Sequence, residues 1–345
     1  MKLWLETRQV LERLRELAPG PDGKVRAALA TVIRVRGSAY RHEGAKMLVT
    51  ADDAIVGNVS GGCLEEDVRE VARRVIATGV HERRSYCGGA NEIAAWDLGV
   101  GCEGEVEILI EPVRDDRSVE RSLIEAEVPF VVVTRLDDPS LPRLAVSGEE
   151  AEEWLASERP ELIERDGAQV FVDVMVPPPR LLIVSGGEDA RHLARLADEV
   201  GFRVIVADRR PGLLAAGRFP PSVLLIESDA ARLSEQLVLD AKSFAVVMTH
   251  HFADDTDYLR ALLRSPVRYL GVLGPRQRTE RILGLLRAEG PVDESRIYGP
   301  VGLDIGTDGA EQVALSILAE ILAVRSGRQA RSLRDRRTPI HASGE

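Results

Sequence analysis

Cys63 closes the run Ser60-Gly61-Gly62-Cys63, directly ahead of a helical pattern that opens Leu64-Glu65-Glu66-Asp67. A thiol at a helix start, preceded by glycines that bare the backbone, is exposed to amides and to the helix dipole, both of which favour thiolate. That makes Cys63 a candidate nucleophile or soft-metal ligand, with an inert thiol as the bland alternative. Cys102 sits in a second glycine-rich turn, Gly99-Val100-Gly101-Cys102-Glu103-Gly104, and Cys87 follows Tyr86. Spacings of 24 and 15 residues between successive cysteines match no common zinc pattern. Arg41, His42 and Lys46 surround the turn in GSAYRHEGAKM and could present positive charge to an anionic ligand near Cys63.

A second set of candidates lies downstream. Ser185-Gly186-Gly187-Glu188-Asp189-Ala190 follows an apolar strand-like run and opens a helix, where a dinucleotide fingerprint belongs, and Asp208 stands 21 residues beyond Gly187. Helix-start amides there could receive a phosphate. The run departs from G-x-G-x-x-G, and Glu188 and Asp189 set negative charge beside that phosphate, so glycines that merely make the turn are the competing reading. Thr249-His250-His251 and Gly274-Pro275-Arg276-Gln277-Arg278 follow later strand-like runs and point to the same sheet edge. Arg276 and Arg278 could clamp a phosphate, or simply form a charged, solvated first turn. His250 could carry a proton, but adjacent histidines diverge on a strand, which disfavours a two-histidine metal site. No G-x-S-x-G elbow occurs.

These residues need a scaffold, and 345 residues favour two domains. Residues 1–176 begin with an amphipathic helix and continue with the strand-like runs AALATVIRVR, AKMLVT, AIVG, EVEILIEPV and PFVVVTRL. This predicts an α+β domain with a mixed sheet, in which residues 64–79 form a helix ending at Gly79. Pro177-Pro178-Pro179 reads as a linker. Residues 180–330 alternate short apolar strands with helices, the pattern of a Rossmann-like doubly wound sheet. Residues 331–345 form a polar tail. The apolar helix 309–325 could cover the sheet or an interface.

A net charge of −11 argues against nucleic acid or an anionic membrane surface as the main partner. No apolar run is long enough to span a membrane, and an odd count of three cysteines makes no disulfide framework, so a reducing cytoplasm is expected.

In combination, GSAYRHEGAKMLV, GNVSGGCLEEDV and LGVGCEGEVEILIEP resemble the N-terminal domain of the XdhC/CoxI family, accessory proteins of xanthine dehydrogenase and carbon monoxide dehydrogenase. LLIVSGGEDARHLARLADEVGFRVIVADRR, YLGVLGPRQR and GPVGLDIGTDGAEQVALSILAEILA resemble that family's C-terminal Rossmann domain. The resemblance implies a chaperone rather than an enzyme. Its cargo would be the molybdenum cofactor, molybdopterin or its dinucleotide form, guarded while a cysteine desulfurase supplies sulfur and then inserted into a molybdenum hydroxylase. The family's S-G-G-C cysteine falls on Cys63 and its G-x-G-C cysteine on Cys102. Both would contact the molybdenum end, while Gly187 and Arg276 would hold the phosphate end. The family's usual G-A-G-H turn is Ser185-Gly186-Gly187-Glu188 here, which weakens nucleotide binding. Helix 309–325 and the resemblance together suggest a homodimer. Two other readings stand beside this one. The first is an NAD(P)-dependent oxidoreductase with His250 as acid or base, and the second is a scaffold that dimerises through helix 309–325.

Overall fold

The computed structural model describes residues 2–17, 26–37, 39–87, 104–114, 117–137, 143–215 and 217–337. The chain divides into two compact units between Pro177 and Pro178.

In the first unit, α1 (Lys2–Glu16) is followed by β1 (Ala27–Arg36), β2 (Lys46–Thr50), β3 (Ile55–Gly57), α2 (Glu65–Thr78), β4 (Glu82–Cys87) and β5 (Glu105–Pro112). The strands form a five-stranded sheet in the order β3-β2-β1-β5-β4, every neighbouring pair antiparallel. Alternate residues of β1 point to opposite faces. Ala28, Ala30 and Val32 pack with Val68, Val71 and Val75 of α2, whereas Ala27 and Leu29 pack with Trp4, Leu11 and Leu14 of α1. Both faces are therefore covered, which explains why β1 is apolar throughout much of its length instead of alternating.

The rest of the unit is α3 (Ser118–Glu125), β6 (Phe130–Arg135), β7 (Leu144–Val146), α4 (Glu152–Ser157), β8 (Glu161–Arg165) and β9 (Ala168–Met175). Its strands make a separate four-stranded antiparallel sheet, β7-β6-β9-β8. The α+β plan holds, but the single mixed sheet is two sheets, with antiparallel pairing throughout the described residues. Phe130, Val132 and Met175 of the second sheet join the cluster around Trp4, so α1 sits in a core shared by both sheets.

The second unit contains β10 (Arg180–Val184), α5 (Glu188–Glu199), β11 (Arg203–Asp208), β12 (Leu224–Glu227), the short α6 (Leu233–Gln236), β13 (Phe244–Val247), α7 (Phe252–Leu263), β14 (Tyr269–Val272), α8 (Arg276–Glu289), β15 (Ile297–Tyr298) and α9 (Ala310–Ser326). All strands are parallel, in the order β12-β11-β10-β13-β14-β15. Strand order reverses between β10 and β13, the defining topology of the Rossmann fold. Leu182, Val184, Ala245 and Val247 pack against Leu259 and Leu262 of α7 and Ile282 and Leu286 of α8. On the other side α9 runs along α5, burying Ala314, Ile317, Leu318 and Ile321 while Leu315 stays half exposed. Beyond α9, a single turn at Leu333–Asp335 is exposed. Among the described residues, no helix is long and apolar enough to cross a membrane.

Candidate functional site

The loop before α2 is organised by one hydroxyl. Ser60 Oγ accepts the amides of Gly62 and Leu64, each at 3.1 Å, and donates to the Glu65 carboxylate. Glu65 Oε1 also accepts the Ser60 amide at 2.8 Å. Burial pushes the Glu65 carboxyl up, but the hydroxyl and amide of Ser60 pull it further the other way, so it stays below the usual carboxylate range. The chain turns at Gly62 with φ +113°, a conformation that residues with a Cβ rarely adopt.

This arrangement leaves Cys63 half-buried, its Sγ 3.6 Å from Ser60 Oγ. The Gly62 and Leu64 amides are spent on Ser60, and the first turn of α2 carries Glu65, Glu66 and Asp67.

Cys63 lines a shallow hollow that opens to solvent, together with Tyr40, Ser60, Gly61, Tyr86 and Gly104. Tyr86 extends from β4, and its hydroxyl donates to Asp67 of α2 at 2.5 Å. Burial first, and then that bond, push the phenol well above its ordinary value. Gly104 follows Cys102 by two positions in sequence. Cys102 itself lies outside the described residues, as does most of its glycine-rich turn.

Two of the three residues expected to present charge to a ligand, Arg41 and Lys46, do not do so. Arg41 borders the pocket but is 6% exposed, with its guanidinium bonded to Glu6 of α1. Lys46 is 1% exposed; its ammonium donates to Gly44 O at 2.9 Å and lies 2.6 Å from Asp173 Oδ2 of β9. That close approach is an ion pair without hydrogen-bond geometry. A charge cannot remain buried without an opposite charge or hydrogen bonds, and these two have found theirs inside the unit.

In the second unit, Ser185 is buried at the end of β10 and its hydroxyl accepts the Gly187 amide at 3.0 Å. Asp208 ends β11 and accepts the Gly186 amide at 2.7 Å, the Arg210 amide at 2.9 Å, and the Arg210 guanidinium through Nε and Nη2 at 2.9 and 2.8 Å. Burial raises its carboxyl, but Arg210 and the two amides more than offset this and hold it below the ordinary value. A Cβ on Gly186 would stand 2.7 Å from Leu213 Cβ and 2.8 Å from Leu213 O. Arg218 ties this segment down by donating to Gly186 O and Leu213 O, both at 3.2 Å. The Gly186 and Gly187 amides and the Asp208 carboxylate are therefore held by the chain itself.

At the switch point His250 has φ +62°, and its Nε2 lies 2.8 Å from Asp189 Oδ2, bridging the turn after β13 to the first turn of α5. Arg276 is exposed at the first residue of α8, whereas Arg278 is bonded to the fully buried Asp255 and so is not half of a phosphate clamp. Among the described residues, no group of three or more His, Cys, Asp or Glu could hold a metal ion.

Reading from sequence alone missed Tyr40, Tyr86, Glu65 and Asp67. One signal was present: only five tyrosines occur in the chain, and two of them flank the S-G-G-C loop in space.

Fold and site define a two-unit protein, with a thiol-bearing loop on an antiparallel α+β scaffold in one unit and a Rossmann sheet in the other. Residues 22–86 match the model of the XdhC and CoxI family, and residues 181–321 match that of the XdhC Rossmann domain. The chain is 30% identical over 316 residues to a Bacillus subtilis (strain 168) protein named as a probable xanthine dehydrogenase subunit, covering 87% of this chain and 93% of that one. It is 26% identical over 306 residues to the "Molybdenum cofactor insertion chaperone PaoD" of Escherichia coli (strain K12), covering 87% and 83%. A crystal structure described as a xanthine dehydrogenase from Bacillus halodurans superposes with a TM-score of 0.76 at 31% identity, over 94% of this chain and 98% of that one. This chain belongs to the XdhC and CoxI family.

Proposed function

We propose that this protein is a cytoplasmic accessory factor in the maturation of a molybdenum hydroxylase of the xanthine or carbon monoxide dehydrogenase type. Its cargo is the molybdenum cofactor, which it holds during sulfuration by a cysteine desulfurase and delivers to the apo-enzyme, acting as a homodimer. One observation carries this reading. A half-buried thiol lines a hollow beside a loop tied by the Ser60 hydroxyl to the Gly62 and Leu64 amides, in a chain related over most of its length to a protein named as a cofactor insertion chaperone.

In this reading Cys63 supplies a soft sulfur donor to the molybdenum end of the cargo. Ser60 and Glu65 fix the loop so that the sulfur meets the cargo without first reorganising the backbone, and Cys102 is assigned to the same end. The second unit contributes surface rather than a dinucleotide site, because the Gly186 amide and Asp208 are mutually bonded and Leu213 lies against the glycine turn.

Activation of a purified apo-hydroxylase is the test. Cofactor supplied on this protein should restore more activity than the same amount supplied free, and equal restoration would refute the chaperone role.

A further inference from the structure

Tyr40 is 65% exposed, yet its ring is not loose on the surface. A Cβ built on Gly61 would stand 3.3 Å from Cγ of the ring and 3.5 and 3.6 Å from Cδ1 and Cδ2. A point directly above Cγ gives that near-symmetric set, so Gly61 meets the ring by its face. The absence of a side chain at Gly61 is what lets the ring lie down on the loop. Among the described residues the Tyr40 hydroxyl has no hydrogen-bond partner, whereas that of Tyr86, across the same pocket, is pinned by Asp67. The pocket thus has one aromatic wall held through its hydroxyl and one held only through its ring, with Cys63 on its lining. An aromatic face left in water beside a thiol is an incomplete contact; what completes it best is a flat, electron-poor ring system, through offset stacking.

Resting on the assignment of this pocket to the cofactor, we infer that Tyr40 is the stacking platform for the fused pterin ring of the cargo, setting its plane while Cys63 meets the end that bears the metal. Tyr40 is in this sense a specificity-determining residue: it selects planar nitrogen heterocycles regardless of the metal they carry. Recognition of the ring by its face asks nothing of Arg41, the one cation among the described lining residues, which is already bonded to Glu6.

The experiment titrates the full-length protein with a metal-free fluorescent pterin, 2-amino-4-oxopteridine, and with molybdopterin under anaerobic conditions, in wild type, Tyr40→Phe and Tyr40→Leu. Because the ring is exposed and its hydroxyl unbonded, both variants should melt with the wild type. Tyr40→Phe should bind both ligands within about twofold of wild type, and Tyr40→Leu about tenfold more weakly, the loss of one base-on-aromatic stack. Wild-type affinity in Tyr40→Leu overturns the proposal while leaving the cofactor assignment intact. A Tyr40→Phe variant as weak as Tyr40→Leu also overturns it, because the hydroxyl and not the ring face would then be responsible. If neither ligand binds the wild type, the cofactor assignment itself fails and this inference falls with it.

Discussion

Replacing Ser60 by alanine tests whether one hydroxyl organises the cysteine loop. The change removes the acceptor for the Gly62 and Leu64 amides and the donor to Glu65, three hydrogen bonds around a residue that is 6% exposed. At about 1 kcal/mol net per bond, and with water replacing part of the loss at the pocket mouth, the cost is about 2 kcal/mol. In a folding unit of this size each kcal/mol moves the midpoint by about 2–4 °C. The N-terminal transition in calorimetry should therefore drop by about 4–8 °C. The sign with pH follows from Glu65. A carboxyl held below its unfolded value contributes stability above that value, about 4.3, and loses it as pH falls through the folded one. The difference between wild type and Ser60→Ala is thus full at neutral pH and shrinks in acid. In a Cys87→Ser, Cys102→Ser background, the loosened loop should also expose Cys63, so its reaction with a disulfide reagent should quicken. A midpoint unchanged within about a degree, together with an unchanged thiol rate, would refute the role given to Ser60.

Three further outcomes follow from the same geometry. Asp173→Asn leaves the Lys46 ammonium buried without its counter-charge and should destabilise the N-terminal unit by about 3–5 kcal/mol in chemical denaturation; replacing both residues by apolar ones of similar size should recover most of that loss. Gly186→Ala sets a methyl group against Leu213 and should cost the C-terminal unit about 1–3 kcal/mol, read from its own unfolding transition. NADH fluorescence should be unaffected by the protein even at millimolar nucleotide. Saturable enhancement would revive the oxidoreductase reading; the ligand's own emission is the right probe, because all three tryptophans belong to the N-terminal half of the chain.

The doubly wound half was legible because its parallel strands, covered on both sides, read as short apolar runs punctuated by helices. The turn residues at Ser185–Gly187 and Asp208 marked the ends of β10 and β11 for the same reason. The antiparallel half was less readable. Pairing of β6 with β9, and not with β5, is decided by a shared core around Trp4 and Phe130 that no local pattern encodes. Cations misled in a similar way. Arg41 and Lys46 look available in sequence because the carboxylates that claim them, Glu6 and Asp173, come from α1 and β9. The cysteine loop was found by its glycines, but its aromatic walls arise from two chain segments that meet only after folding.

The most direct measurement is anaerobic purification of the full-length protein from a host that makes molybdopterin, followed by quantification of pterin and molybdenum per chain in wild type and Cys63→Ser. Wild type should retain both in equal amounts, and Cys63→Ser should lose most of the molybdenum. An empty wild type, or a Cys63→Ser variant as fully loaded as the wild type, would contradict the account.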